Sequence, residues 1–257
     1  MEWYLYPAVI AAGFVAGFIN TLAGSGSVVT LPLLIFVGLP ATVANGTNRV
    51  AILLQNVVGV SSFRRENMLD TRGALILGIP AVVGSIIGAN IAANLNEEVL
   101  QTVIGVIMVI MLFVILVRPK RWLEGELTHL EGWPSWWQWL LFFAIGMYGG
   151  FIQAGVGVFL LAGLVLGAGY DLVRANAVKV GIVLLFTIFA LAVFVLNDQV
   201  NWFIGFVLAI GNMLGAWVAT KVAVDKGAIW VRRLLIVVVI FSAARFLGII
   251  DWLGTLF

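Results

Sequence analysis

The chain has 257 residues, 63% hydrophobic and only 10% charged, with a mean hydropathy of +1.14. This lies outside the range of soluble globular domains, and several apolar runs approach or pass the roughly 20 residues that cross a bilayer, so the chain reads as an all-α polytopic integral membrane protein. The absence of Cys removes disulfides, thiolate catalysis and Cys-ligated metal centres, and a net charge of +2 with a pI near 9.2 reads as cytoplasmic Lys and Arg, not as a nucleic-acid surface.

The N-terminal stretch MEWYLYPAVIAAGF lacks a basic n-region and a small-residue cleavage site, so the first apolar segment is expected to be retained. That segment runs from 5 to 38 but is interrupted at 20–27 by NTLAGSGS. Non-helical backbone survives at membrane depth only where protein or a water-filled cavity surrounds it. Further apolar segments follow at 46–63, 73–93 and 99–117. Arg64, Arg65 and Arg72 place one loop inside, as Arg118, Lys120 and Arg121 place another, whereas NLNEE at 94–98 carries no Lys or Arg and belongs outside.

The segment 137–168 is broken again near 153–157 and is preceded by GWPSWWQWL, whose tryptophans from Trp133 to Trp139 read as an interfacial belt. Segments at 176–195, 202–220 and 230–249 complete the set. The loop 196–201, without Lys or Arg, falls outside, and Lys221, Lys226, Arg232 and Arg233 mark an inside loop. The linker 118–136 is inside, and the helix ending at 196 must start inside, near Asp171 and Arg174. Segment 137–168 is therefore expected to enter and leave on one face as an interrupted, re-entrant hairpin, and both termini fall outside.

The two halves share landmarks: GFIN at 17–20 with GFIQ at 150–153, AGSG at 23–26 with AGVG at 154–157, Ala44-Asn45 with Ala175-Asn176, and Gly84-x-x-x-Gly88-Ala89 with Gly211-x-x-x-Gly215-Ala216. Four landmarks in one order and nearly one spacing point to duplication. One membrane domain then fills the chain, with repeats over 5–117 and 137–249 joined by the cytoplasmic linker 118–136. Each repeat is an interrupted hairpin followed by three transmembrane helices. The helices 46–63 and 176–195 run in opposite senses, so the repeats are inverted. Interrupted helices at matching places in inverted repeats are the sequence pointer to a secondary transporter with a midplane site.

GFINTLAGSGSVVTLPLL, the following ANGTNRV and the looser second copy GGFIQAGVGVF with RANAVKV resemble the TauE/SafE sulfite exporter family of membrane permeases, over nearly the whole chain. The resemblance implies transport of sulfur-containing anions such as sulfite, thiosulfate or organosulfonates, usually outward, across the inner membrane. It supports the class of solute better than the compound.

Among the 14 Lys and Arg residues, Arg49, Lys179 and Arg245 stand within apolar segments, where an ionisable side chain costs several kcal/mol and is by default a functional candidate. Snorkelling from a nearby helix end is the competing account, and Arg245 has a further partner in Asp251. Asn45, Asn48, Arg49 and Asn56 fall along one helix face, with Asn176, Lys179 and Thr187 as a sparser counterpart; Asn56 and Thr187 read as amides and hydroxyls that join helices. A helix starting after each glycine-rich break presents unpaired N–H groups and the positive end of its dipole, and glycine lets an oxyanion approach the backbone. The expected anion-binding set is Asn20, Thr21, Gly24, Ser25, Gly26 and Ser27, with Thr30 beside them, at the first break; Gln153, Gly155 and Gly157 at the second; and Asn45, Asn48, Arg49, Asn176 and Lys179.

No Asp or Glu falls mid-membrane, and the only His, His129, lies in the linker, which leaves little from which to build a proton relay, a metal site or an intramembrane enzyme. No cofactor or metal is expected. The partners expected are a small anion and the lipid bilayer, without nucleic acid, and a homodimer stays open. An anion channel, a carrier of another small organic anion such as a carboxylate, and a non-transporting subunit of a membrane complex are the alternatives to an exporter.

Overall fold

The computed structural model describes residues 5–104, 106, 130 and 132–246, with side chains up to Asp225. The chain folds as α1 (Leu5–Ala23), α2 (Ser27–Phe36), α3 (Ala41–Arg65), α4 (Thr71–Ala93), α5 (Trp136–Phe151), α6 (Val156–Ala162), α7 (Leu172–Leu196) and α8 (Trp202–Phe246). A π-turn at Gly163–Gly167 extends α6, and backbone 97–104 is helical. Four segments among the described residues are long and apolar enough to cross a bilayer: Tyr6–Ala23, Thr71–Ala93, Leu172–Leu196 and Trp202–Asp225. The protein is a polytopic helical membrane protein.

Helix starts follow local chemistry. Asp70 caps α4 by accepting from the Gly73 N–H at 2.9 Å, Asp171 caps α7 through the N–H groups of Val173 and Arg174 at 2.9 and 3.0 Å, and Ser135 with Gln138 forms a capping box on α5. The start of α3 follows Pro40 and is capped from a distance: the Glu97 carboxylate accepts from the Ala41 and Thr42 N–H groups and from the Thr42 hydroxyl. Asp70 also accepts from the Leu130 N–H at 2.7 Å and the Tyr170 hydroxyl at 2.6 Å. Burial and this carboxylate push the ionisation of Tyr170, in the loop before α7, far above its usual range. It therefore stays a proton donor at any physiological pH.

Two boundaries differ from those read off the apolar runs. The helices α3 and α7 begin at Ala41 and Leu172, several residues before the runs at 46 and 176, because their starts are set by Pro40 and by the Asp171 cap. The inside loop expected between 220 and 230 is absent: α8 stays helical from Trp202 to Phe246. The stretch KVAVDKGAI holds no Pro and one Gly, so no backbone constraint stops the helix there. The expected helix at 99–117 is described only as far as 104 and 106. The cations Arg118, Lys120 and Arg121, and His129, lie outside the described residues, as do the side chains of Lys226, Arg232, Arg233 and Arg245.

α3 is 25 residues long but too polar to face lipid, and it is buried among α1, α2, α7 and α8. α7 is its counterpart, packed against α3, α4 and α8 and contributing Val178, Val180, Ile182, Val183 and Phe186 to the main core with Leu22, Ile52, Phe63 and Phe142. The flanking helices turn apolar side chains outward, Ile79, Val83 and Ile91 on α4 and Phe206, Ile210 and Leu214 on α8, which is the face lipid requires.

Contacts recur between the halves. A Cβ on Gly17 of α1 would collide with the backbone of Asn212 on α8, and one on Gly150 of α5 with the backbone of Ser85 on α4. Gly211 and Gly215 of α8 lie against Ile10 and Phe14 of α1, as Gly84 and Gly88 of α4 lie against Phe143 and Met147 of α5. Small residues let membrane helices approach closely, where no hydrophobic effect drives association.

The two interruptions meet. The Gly157 N–H donates to the Gly24 carbonyl at 3.1 Å, and a Cβ on either residue would overlap the other's backbone. Gly24 also has φ +72°, which L side chains adopt at a cost. Gly24→Ala is therefore expected to lower stability by about 3 kcal/mol or more, through strain and overpacking together. Gly38→Ala is the control: it too has positive φ but open space around it, and should cost only about 1 kcal/mol. Melting temperatures of the two variants in one detergent check the difference.

Candidate functional site

Each central helix lends one cation to the broken hairpin of the other half. Arg49, on α3, donates through Nη1 to the Gly149 carbonyl and Gln153 Oε1, both at 3.0 Å. Its Nη2 donates to the Gly150 carbonyl at 2.5 Å and, more weakly, to Asn45 Oδ1 at 3.5 Å. Asn45 Nδ2 takes the next carbonyl, that of Phe151, at 2.9 Å. The guanidinium also stacks 4.7 Å above the Phe194 ring, a cation–π contact. Lys179, on α7, donates to the carbonyls of Asn20 and Thr21 at 3.1 and 2.7 Å and to Asn176 Oδ1 at 2.8 Å.

These carbonyls end α5 and α1, where the last turn has no intrahelical donors and the helix dipole is negative. A cation there satisfies both the hydrogen bonds and the field. Arg49 is 0% and Lys179 2% exposed, two turns inside their helices, so snorkelling is excluded for both. Among the described residues no Asp or Glu is buried, and the two charges are held by neutral oxygens alone.

The breaks are knit more tightly than expected. At the first, the N–H groups of Val28, Val29 and Thr30 bond to the carbonyls of Ser25 and Gly26; at the second, those of Val156 and Val158 bond to Gln153 and Gly155, and that of Gly157 crosses to Gly24. The amides of Val28, Val29, Thr30, Val156, Gly157 and Val158 are thus engaged by backbone carbonyls. Side-chain donors remain. Thr21 Oγ1, Ser27 Oγ, Asn48 Nδ2, Arg49 Nε, Gln153 Nε2 and Asn176 Nδ2 are buried without a partner, an uncommon concentration of groups each costing about 1–3 kcal/mol when unpaired.

The expected residues sort accordingly. Asn20, Thr21, Gly24, Ser25, Gly26 and Ser27 lie together on the first break, with Thr30 donating to Asn48 at 2.7 Å. Gln153, Gly155 and Gly157 form the second break, joined to the first through Gly24 and to α3 through Arg49. Asn176 and Lys179 reach the end of α1. Asn56 stands apart, its amide donating to Ile52 of its own helix at 2.7 Å, where a join to another helix was expected; Thr187 Oγ1 has no partner. Sequence reasoning missed Gln55 and Asn212. Gln55 Oε1 accepts from both Asn20 Nδ2 and Asn212 Nδ2 at 3.2 Å. The two amides themselves were the only signal, but Asn212 sits between Gly211 and Gly215 and was absorbed into their packing motif.

Residues 9–246 match the family model described as sulfite exporter TauE/SafE. Three curated proteins align along almost their whole length. A "Probable membrane transporter protein ORF9" of Sinorhizobium sp. is 27% identical over 96% of this chain and 94% of its own. A "Probable membrane transporter protein" of Haemophilus influenzae is 25% identical over 94% of each, and the "Probable membrane transporter protein YfcA" of Escherichia coli K12 is 26% identical over 97% and 94%. No solved structure matches the chain.

Lys179→Met leaves the Thr21 carbonyl and Asn176 Oδ1 unpaired and removes one of the two donors to the Asn20 carbonyl, and is expected to lower stability by about 2–3 kcal/mol. Arg49→Lys keeps the charge but cannot span Gly149, Gly150 and Gln153 together, and should cost about 1–2 kcal/mol. Thermal unfolding in detergent, followed by intrinsic tryptophan fluorescence, checks both.

Proposed function

Because the chain belongs to the sulfite exporter TauE/SafE family, we propose that it is a secondary carrier of small sulfur-containing anions such as sulfite, thiosulfate or organosulfonates. It works by alternating access around a site where the two interrupted hairpins meet, and it carries out no catalysis. The observation that carries this reading is the cluster of unpaired, buried side-chain donors around that meeting point, with two cations and no buried carboxylate among the described residues. Such a shell is unsatisfied by itself and suited to an oxyanion, whose several acceptor oxygens would pair with Thr21, Ser27, Asn48, Arg49 Nε, Gln153 and Asn176 together. The cations act mainly through their field, since their donors are mostly engaged by carbonyls.

The recurrence of the glycine contacts supports two repeats, 5–117 and 137–249, around the linker 118–136, and the loop charges support their inversion and an inner-membrane placement with the N-terminus outside; the returning span at 230–249 that would also bring the C-terminus outside is replaced by the continuous α8. An inside-negative potential then favours exit of an anion by about 2.3 kcal/mol per charge per 100 mV. The solute's own charge drives export without a proton relay.

In proteoliposomes loaded with unlabelled sulfite, the protein should accumulate external radiolabelled sulfite by trans-stimulated exchange, with thiosulfate and sulfoacetate competing. Exchange with carboxylates alone would move the assignment to organic acids, and large single-channel currents would replace the carrier by a channel. Because the chain has no Cys, a single Cys placed at the N-terminus reports sidedness to an impermeant thiol reagent; labelling from outside is expected there.

A further inference from the structure

The amides of Asn20, Gln55 and Asn212 join α1, α3 and α8 through one acceptor, Gln55 Oε1, at 3.2 Å to each donor. Gln55 is 1% and Asn212 2% exposed. The second half offers an internal control on whether the fold needs this cluster. Asn212 meets Gly17 as Ser85 meets Gly150, so Ser85 holds the equivalent place. Its hydroxyl donates to Val82 of its own helix at 2.8 Å and to the Phe186 carbonyl on α7 at 3.3 Å. Phe186 lies as far beyond Asn176 as Gln55 lies beyond Asn45, and it is 0% exposed within the apolar core. The places of Gln55 and Asn212 are thus taken in the second half by a phenylalanine and a serine, while Asn20 has its counterpart in Gln153, held by Arg49. Packing does not require the amides, and a buried polar cluster where apolar groups suffice costs stability.

What the amides do is fix one residue. Asn20 belongs to the last turn of α1, directly before the first break. Its carbonyl accepts from Lys179 and from the Gly24 N–H, and its partly buried side chain is tied down by Gln55. We propose that Gln55, anchored by Asn212, is a positioning residue that sets anion selectivity by orienting the Asn20 amide at the rim of the first break. This rests on the reading of that region as an anion site. Gln55 serves only as an acceptor to both Asn side chains, so a carboxylate could take over its hydrogen bonds. A carboxylate would also add negative charge beside the site, and the two roles of the residue therefore separate experimentally.

Two measurements test it. In proteoliposomes, Gln55→Leu is expected to raise the KM for radiolabelled sulfite about tenfold, the worth of one hydrogen bond to an anion, with Vmax little changed; Asn212→Ala should raise it about threefold. Gln55→Glu retains the acceptors but adds a buried charge, and should raise KM more than Gln55→Leu does. The second measurement needs no transported substrate. In the Cys-free chain, Ser25→Cys supplies a single thiol beside the first break, and its modification rates by an anionic sulfonatoethyl and a cationic trimethylammonioethyl methanethiosulfonate give a charge-selectivity ratio. Gln55→Glu should lower that ratio about tenfold and Gln55→Leu about threefold. If wild-type protein moves no sulfite, the transport reading falls while the thiol ratio still decides the role of Gln55. An unchanged ratio in both variants, or a Gln55→Glu protein with wild-type KM, overturns the proposal and leaves the cluster a purely structural role.

Discussion

An interrupted helix inside a membrane leaves a row of carbonyl groups with no water to receive them, and that constraint organises this protein. The ends of α1 and α5 lie in the protein interior, and each is satisfied from the opposite half: α5 by Arg49 and Asn45 of α3, and α1 by Lys179 of α7. The two buried charges that look extravagant in the sequence are therefore structural in the first instance. Exchange of one cation for each broken end also explains why α3 and α7 occupy the middle. A helix bearing Asn45, Asn48, Arg49 and Gln55 can cross lipid only inside a sheath of other helices, and α1, α2, α7 and α8 provide it.

Satisfying the carbonyls shifts the problem to the donors. The guanidinium and the ammonium take up the oxygens of Asn45, Gln153 and Asn176, which leaves the nitrogen of Gln153 and of Asn176 facing nothing. Each cap thus creates unpaired N–H groups one bond further along. A shell of donors emerges from the same arrangement that stabilises the breaks, so the proposed binding shell and the fold are one network with an excess of hydrogen over acceptor. Any ligand that completes it must be rich in oxygen and poor in protons.

Much of this was legible in the sequence. Composition fixed the class, and the paired GFIN/GFIQ and AGSG/AGVG motifs located both breaks, because glycine and polar residues clustered inside an apolar run weaken a membrane helix at that point. Arg49 and Lys179 stood out for their charge in the same apolar setting. What they bind did not, since a side chain's partner in a neighbouring helix depends on the rotation and depth of that helix, and residue spacing carries neither. The engagement of the amides from Val28 to Thr30 and from Val156 to Val158 was hidden for a related reason: whether an N–H at a break faces a turn or a cavity depends on a few backbone torsions. Gln55 escaped notice because Asn56 beside it completes the polar stripe by spacing, yet only Gln55 points across to α1 and α8. The continuity of α8 past 220 was obscured by charges, which mark where a chain leaves lipid but not whether it bends there.

The junction between the two breaks is made by bare main chain, Gly24 against Gly157, joined by a single hydrogen bond. A seam without side chains has no rotamers to freeze on closing and none to release on opening. If the proposed alternating access parts the two breaks there, it does so with little entropic friction.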